Sequence, residues 1–580
     1  MYLRRCIPAR IRRALNELPE TLDETYARAL KEIDKPNREY AHRIFQCVAA
    51  ASRPFRVEEL ADFLAFDFEA GAIPTFLADW RPEDPTHCVL STCSSLLAVV
   101  EDSPSRDGDT LVIPPDMGSA RGSPATPPQV YQPPIPMDDD EIYVPHEPDY
   151  PTRTPMKSPP LAAQFAHFSV KEYLTSARLA GEKDAISRFH VSMTPAHTII
   201  AQACLGVLLH LDENITNETL KEFPLAEYAA ENWVDHARFE NVAPNVLDGM
   251  KRLFDPSKNH FSVWVWIYDP ESPQSRWGRS VRPVAPRARP LHYAAFCGMH
   301  DIAEFLIVER SQDVNARGFD QQETPLQVAV RRGHVEVARV LLKHGADTET
   351  RDKDDRTPLL SATQNRHVEL ARLLLEHGAY TEVREKDAYD IFAARSTSAL
   401  EWAAGLGHVE LVQALLEHGA DVNAQKEWAT PLHWASAQGH PAVARVLLSY
   451  GANLRARCKG HPTPLHCAKE EEVTRLLLEQ GADANALEYR NRTPLHIVSE
   501  KGNVGAARVL LEHGVDANAR DVNNATPLHL ASDSVYRPKK GGEHILVVLL
   551  LIQYGSDINA RDDKGRTPFM RATQRRLVHS

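Results

Sequence analysis

Four potential metal ligands, Cys458, His461, His466 and Cys467, fall within ten residues of one another. Zinc needs four such side chains converging on one tetrahedron, and short runs of this kind serve only when the other ligands stand at matching spacing. That spacing is missing here. His466 closes a recurring Thr-Pro-Leu-His word, Cys467 follows it where Trp434 follows the previous copy, and Cys458 lies in a turn. No metal is expected. Other chemistries leave equally little trace. The chain has no Gly-x-Ser-x-Gly elbow for a nucleophilic serine. Ser169, in His-Phe-Ser-Val-Lys-Glu, reads as a helix cap paired with Glu172. A phosphate-cradling loop must end in Gly-Lys-Ser/Thr, and the sequence contains no Gly-Lys dipeptide. The expectation is a non-enzymatic protein with no cofactor and no small-molecule substrate.

The 26 histidines are periodic rather than clustered. His344, His377, His418 and His513 each precede a glycine that ends a helix, where a partly charged imidazole suits the helix dipole. His334, His367, His408 and His440 belong to a turn between two helices. The period behind them is close to 33 residues. Its opening word stands complete at Thr430–His433, Thr463–His466, Thr493–His496 and Thr526–His529. Partial copies stand at Pro290, Thr324, Thr357, Ser398 and Thr567. Its closing word is Gly-Ala-Asp or a near variant, at Gly345, Gly378, Gly419, Gly451, Gly481, Gly514 and Gly555. Threonine accepts from a free N–H of the first turn. Proline follows at the one position where a missing N–H does no harm. Gly-His turns the first helix into the second, leucine pairs such as Leu341–Leu342 fill the second, and the closing glycine takes the left-handed conformation.

This pattern resembles ankyrin repeats, whose helix–turn–helix units stack into a solenoid. Eight full units and a partial ninth are expected over 289–580. The unit after Thr357 carries about eight extra residues near Lys386–Arg395, the unit after Thr463 is three short, and the unit after Thr526 holds an insertion at Arg537–Glu543. The resemblance implies a protein partner held in a groove and at the loop fingertips. Exposed aromatics and arginines are the usual anchors. Lys353, Asp354, Lys426, Glu427, Trp428, Tyr489 and Arg490 occupy fingertips, and Arg331, Arg332 and Gln438 end first helices on the same side. These ten are the candidate partner-binding residues.

Before the array, composition divides the chain. Residues 1–17 are a basic leader without the apolar core of a signal peptide. Thr21 and Glu24 have capping-box spacing, and helices are expected from Leu22, over Asn37–Ala51 and over Val57–Phe66. Cys88–Val100 reads as a helix turning into a strand, and Ala163–Phe168 as a second strand. Between them, 103–160 holds 15 of the chain's 41 prolines and reads as a disordered insertion. Three helices and two strands make 18–180 a winged-helix-like domain with the insertion looping out between the wing strands, a tolerable cost in closure entropy. An α-helical connector is expected over 181–271 and a Pro/Arg-rich linker over 272–288. The fold class is therefore mainly α. A net charge of −13 argues against nucleic acid as the main partner. The longest apolar run, Ile545–Ile552, is far short of the ~20 residues that cross a bilayer. The expected location is the cytoplasm, with the nucleus as an alternative.

Several phrases in the first half carry a second resemblance: Leu18-Pro-Glu-Thr-Leu-Asp-Glu-Thr-Tyr26, Arg53-Pro-Phe-Arg-Val-Glu-Glu-Leu-Ala61, Cys93-Ser-Ser-Leu96 and Ala166-His-Phe-Ser-Val-Lys-Glu-Tyr-Leu174. They are similar to the region that follows the NACHT nucleotidase in fungal NACHT–ankyrin proteins of the NOD-like receptor type. Pro224–Ala230 and Trp266–Asp269 resemble that family's connector. The resemblance implies a regulatory or sensing part in signal transduction. The family's nucleotidase precedes the winged helix, and only about 17 residues stand before Leu18. Two competing readings follow: a fragment of a NACHT NTPase from an incomplete gene model, and a winged-helix DNA-binding regulator. Arg53 and Arg56 beside Val57–Phe66 favour the second, whereas Glu58, Glu59 and Asp62 on that helix would repel phosphates.

Overall fold

A computed structural model of the protein describes residues 21–69, 71, 73–93, 96–101, 161–182, 185–272, 285–382, 398–425, 429–458, 462–534 and 541–579, the side chains of 534, 541–542 and 574–579 excepted. The basic leader, the Pro-rich stretch, most of the linker, the extra residues near Lys386–Arg395, and His461, Lys426, Glu427 and Trp428 lie outside them. The chain is mainly helical and forms two compact units: residues up to Cys204 with Glu222–Ala243, and Leu205–Lys221 with Pro244 onward.

In the first unit, Thr21 caps the helix Leu22–Glu32 by accepting from the Glu24 amide at 3.2 Å. Helices Arg38–Ala50, Val57–Leu64 and Pro85–Cys93 follow. The strands Leu97–Glu101 and Leu161–Phe165 pair antiparallel, Leu97 opposite Phe165 and Glu101 opposite Leu161. A two-residue strand, Phe55–Arg56, joins the other edge of Leu161–Phe165. This third strand and a separate hairpin of Phe66–Asp67 with Thr75–Phe76 add to what periodicity indicates, because two-residue strands are too short to show alternation. The core buries Leu30, Ile44, Phe45, Phe55, Phe63, Phe189, Tyr228 and Trp233.

Two local expectations change. His167, not Ser169, caps the helix Phe168–Leu174, and the Ser169 hydroxyl instead lies 2.6 Å from both Tyr26 Oη and His167 Nδ1. Glu59 and Asp62 do not face solvent. Both are buried, Glu59 chelated by Arg53 at 2.6 and 2.9 Å, Asp62 bound by Arg81 at 2.6 Å and by the Leu225 amide at 3.1 Å. Arg53, Glu59 and Asp62 are thereby paired within the protein, whereas Glu58 on the same helix is exposed.

In the second unit, helices Ala243–Phe254 and His260–Ile267 precede a succession of helix pairs. The pairs begin with Pro290–Cys297 and His300–Val308, then Pro325–Arg332 and Val335–Lys343, and continue to Pro527–Ser534 and Gly541–Gln553. Eight pairs and a further first helix, Pro568–His579, are present among the described residues. First helices stack on first helices and second on second. The leucine after each proline, Leu326, Leu359, Leu432, Leu465, Leu495 and Leu528, is fully buried.

The four full words are tied identically. The backbone N–H of Thr430, Thr463, Thr493 and Thr526 donates to Nδ1 of the histidine three residues on, at 3.1–3.2 Å. The other ring nitrogen, Nε2, reaches a carbonyl in the next loop: Pro462, Arg492, Ala525 and Arg566 at 3.0–3.2 Å. An acceptor at Nδ1 and a carbonyl at Nε2 require a neutral ring carrying its proton on Nε2. The second repeat uses Gln327 for the same task, accepting from the Thr324 N–H at 2.8 Å and donating to the carbonyls of Thr350 and Arg356. The sixth first helix is cut to Pro464–Cys467, and Lys469 N–H donates to the Ser436 carbonyl in place of a Gly-His turn.

Candidate partner-binding surface

The loops that project beyond each helix pair are built by aspartates. Asp352 accepts from the amides of Asp354 and Arg356, Asp521 from Asn523 and Ala525, and Asp562 from Lys564 and Arg566, all at 2.8–2.9 Å. Asp562 also holds Arg566 and Arg571, and these bonds keep its carboxyl well below the usual carboxylate range. Neighbouring loops are zipped together. The Lys353 amide donates to Gln321 O at 2.8 Å and the Val522 amide to Arg490 O at 3.0 Å. Side chains add a second set of ties: Arg317 to Arg351 O, Arg457 to Leu487 O and Arg520 to Arg561 O. An asparagine further back does likewise, Asn423 with Gly451 O and Asn453 N, Asn518 with Gly555 O and Asp557 N. The described fingertips tied in this way are stiffened, which lowers the ordering cost of binding.

The candidates divide on this frame. Arg331 grips buried Glu323 with two bonds of 2.8 Å and reaches Glu271 at 3.3 Å. Arg332 sits 3.7 Å from the centre of the Phe296 ring and 3.8 Å from Glu271. Burial of the Arg332 guanidinium beside Arg331 lowers its pKa. Both arginines thus tie the end of the preceding segment to the first two pairs. Lys353 is exposed, and Asp354 bonds Arg356. Gln438 is exposed at the end of its first helix. Tyr489 and Arg490 are exposed together, the guanidinium 5.1 Å from the ring centre, and among the described residues Arg490 has no carboxylate partner. Lys426, Glu427 and Trp428 lie outside the described residues. Leu487 and Val522 are further exposed apolar fingertip residues, and the Val522 loop is bonded to that of Arg490. Neither is an aromatic or an arginine, the residue types by which anchors are usually recognised in a sequence.

The ligating candidates resolve differently. Both ring nitrogens of buried His466 are occupied, by Thr463 and by Arg492 O, so it has no lone pair for a metal. Among the described residues no group of three or more His, Cys, Asp or Glu is placed to hold one. The histidines of the inter-helix turns bridge pairs instead, His334 Nε2 to Phe296 O at 3.0 Å and His440 Nε2 to Gly405 O at 3.1 Å. His377, His418 and His513 donate through Nδ1 to the carbonyl four residues back at 2.8–2.9 Å, a carbonyl that also accepts the histidine's own backbone N–H.

The family of ankyrin repeats matches in overlapping three-copy windows that run from 291 to 562. The second unit carries an ankyrin-repeat array. Over 345 residues the chain is also 28% identical to azaphilone pigments biosynthesis cluster protein L of Monascus ruber, a match covering 57% of this chain and 61% of that protein. The chain thus spans about three fifths of the length of this curated relative. Among the described residues no helix is long and apolar enough to cross a membrane.

Proposed function

We propose that the protein is a non-enzymatic interaction module whose ankyrin array captures a partner protein along its fingertips. The observation that carries the reading is the exposed set Leu487, Tyr489, Arg490 and Val522 on adjoining, mutually bonded loops. An aromatic ring, an arginine with no carboxylate partner among the described residues and two apolar side chains on a stiff frame match the composition of binding hot spots. Lys353 and Gln438 extend the surface, and Trp428, Lys426 and Glu427 belong to the fingertip between them in sequence. Arg331 and Arg332 serve the array's own packing in this reading.

The first unit we read as a winged-helix-like regulatory domain. The antiparallel pair Leu97–Glu101 and Leu161–Phe165 on either side of the Pro-rich stretch, packed with helices, supports it. Together with the family phrases at Leu18, Arg53, Cys93 and Ala166, it supports reading the chain as the sensing and regulatory part of a NOD-like receptor architecture. Affinity capture from native extract with the wild-type chain and with Tyr489→Ala/Arg490→Glu tests the binding surface. Loss of a specific partner at unchanged melting temperature supports it, and an identical set of captured proteins counts against it.

A further inference from the structure

Between Glu427 and Glu470 the sequence holds no Asp or Glu, and its charges there are Arg445, Arg455, Arg457, Lys459 and Lys469. In a chain of net charge −13 this is a local reversal of sign. Part of it reaches the fingertips. Arg457 is exposed on the loop of the fifth repeat, and its guanidinium donates to Leu487 O of the next loop at 2.8 Å. Arg520 is exposed on the loop of the seventh repeat and donates to Arg561 O at 3.2 Å. A carbonyl takes one donor of a guanidinium and cancels none of its charge. Arg490 stands on the loop between them, and among the described residues neither it nor Arg520 has a carboxylate partner.

The loop of the second repeat is different: there Arg351 is paired with Asp355 and Arg356 with Asp354. In the sixth and seventh loops the acids bind backbone instead. Glu488 accepts from the Arg490 amide at 3.2 Å, Asp483 from Asn485 at 3.0 Å and Asp516 from Asn518 at 2.9 Å. Buried Asp521 accepts from Asn523 and Ala525 and lies 3.7 Å from Arg492. The inter-loop bonds fix an order along the surface. Arg457 ends at Leu487, and Leu487, Tyr489 and Arg490 share one loop. Val522, bonded through its amide to Arg490 O, stands two residues from Arg520. Leu487, Tyr489 and Val522 are 45%, 57% and 51% exposed. An apolar centre therefore lies between the guanidinium groups of the fifth and seventh loops, with a third beside the aromatic ring.

Resting on the fingertip reading above, we propose that this surface holds an acidic peptide segment of the partner with a large apolar residue between its carboxylates. The apolar side chain lies on Leu487, Tyr489 and Val522. The carboxylates face Arg457, Arg490 and Arg520, whose planar donors suit them. A peptide supplies both parts. A nucleic acid supplies the charge as phosphate but brings no aliphatic side chain to the apolar centre.

Random peptides displayed on phage are selected on the full-length chain, with the Arg490→Glu variant as counter-selection. Enriched sequences should carry Asp or Glu on both sides of Leu, Ile, Phe, Tyr or Trp. A labelled synthetic copy of an enriched peptide, followed by fluorescence anisotropy, should bind about tenfold or more weakly once its acids are replaced by Asn and Gln. It should lose about as much on Arg490→Glu, whose melting temperature should match the wild type because the side chain is exposed. Added salt should weaken it, since exposed charges are screened. Enriched peptides without acidic residues would overturn the proposal, as would no enrichment, equal affinity for the neutral copy, or an oligo-dT strand that binds as tightly as the peptide. If such a result came with loss of a captured partner in Tyr489→Ala/Arg490→Glu, the binding surface would stand and only the acidic character of the partner would fall.

Discussion

Thr493 and His496 complete each other: the threonine N–H at 3.1 Å and its hydroxyl at 2.9 Å both meet His496 Nδ1, while His496 Nε2 reaches Ala525 O at 3.2 Å. The bonding requires a neutral ring, and burial pushes His496 and His433 down to about 4. In the unfolded chain a histidine titrates near 6.5. Below that pH the unfolded state binds protons that the folded state refuses, so stability falls as pH drops from about 6.5 toward 4 and is flat above. By pH 4 the loss should be roughly 3 kcal/mol for each fully buried histidine. Urea midpoints between pH 7.5 and 4.5 measure it. His433→Gln with His496→Gln should keep stability at pH 7, since Gln327 already does this work in the second repeat, and should flatten the acid limb.

Arg331 gives a prediction that separates packing from binding. Its two bonds to buried Glu323 hold a carboxylate that would otherwise be stranded. Arg331→Ala should cost about 1–3 kcal/mol, less than for a fully buried pair because the guanidinium is partly exposed. Adding Glu323→Gln should recover most of the loss. A stability unchanged by Arg331→Ala, measured by urea titration, would show the pair to be unimportant.

How far sequence reading reaches is clear from this residue. The Thr-Pro-Leu-His words specify helices, caps and inter-repeat bonds because each depends on residues a few positions apart. Arg331 looked like a groove anchor because neither Glu323, eight residues back in the preceding loop, nor Glu271, 60 residues upstream, stands at a helical spacing from it. Glu59 and Asp62 looked solvated for the same reason: the interior position of Asp62 is set by Arg81 and by the Leu225 amide, 163 residues away. Tyr489 and Arg490 were legible as fingertip residues, because turn position follows from the repeat.

Two glycines isolate contact from backbone strain. Gly407 and Gly419 both have left-handed φ, +78° and +86°. A Cβ at Gly407 would lie 2.8 Å from the His440 ring, whereas at Gly419 nothing stands within 4 Å. Gly419→Ala should cost about 1 kcal/mol from conformation alone. Gly407→Ala should cost clearly more and should also disturb the His440–Gly405 bond. Equal losses in thermal unfolding would contradict the role given to His440.

Leu432 and Leu447 have no exposed surface. An aspartate at either strands a charge in the stack and should cost more than about 3 kcal/mol. Hydrogen exchange should rise in Ala399–Leu406 through Glu471–Glu479 first, because each repeat contacts only its neighbours. Exchange that rises uniformly along the array would argue against that locality.

The fingertip surface is tested most directly by partner capture with Tyr489→Ala/Arg490→Glu beside the wild-type chain. Both side chains are exposed, so the array should melt at the same temperature. A partner retained by the wild type should be lost or weakened at least tenfold. Retention of every partner with unchanged affinity would contradict binding through these fingertips.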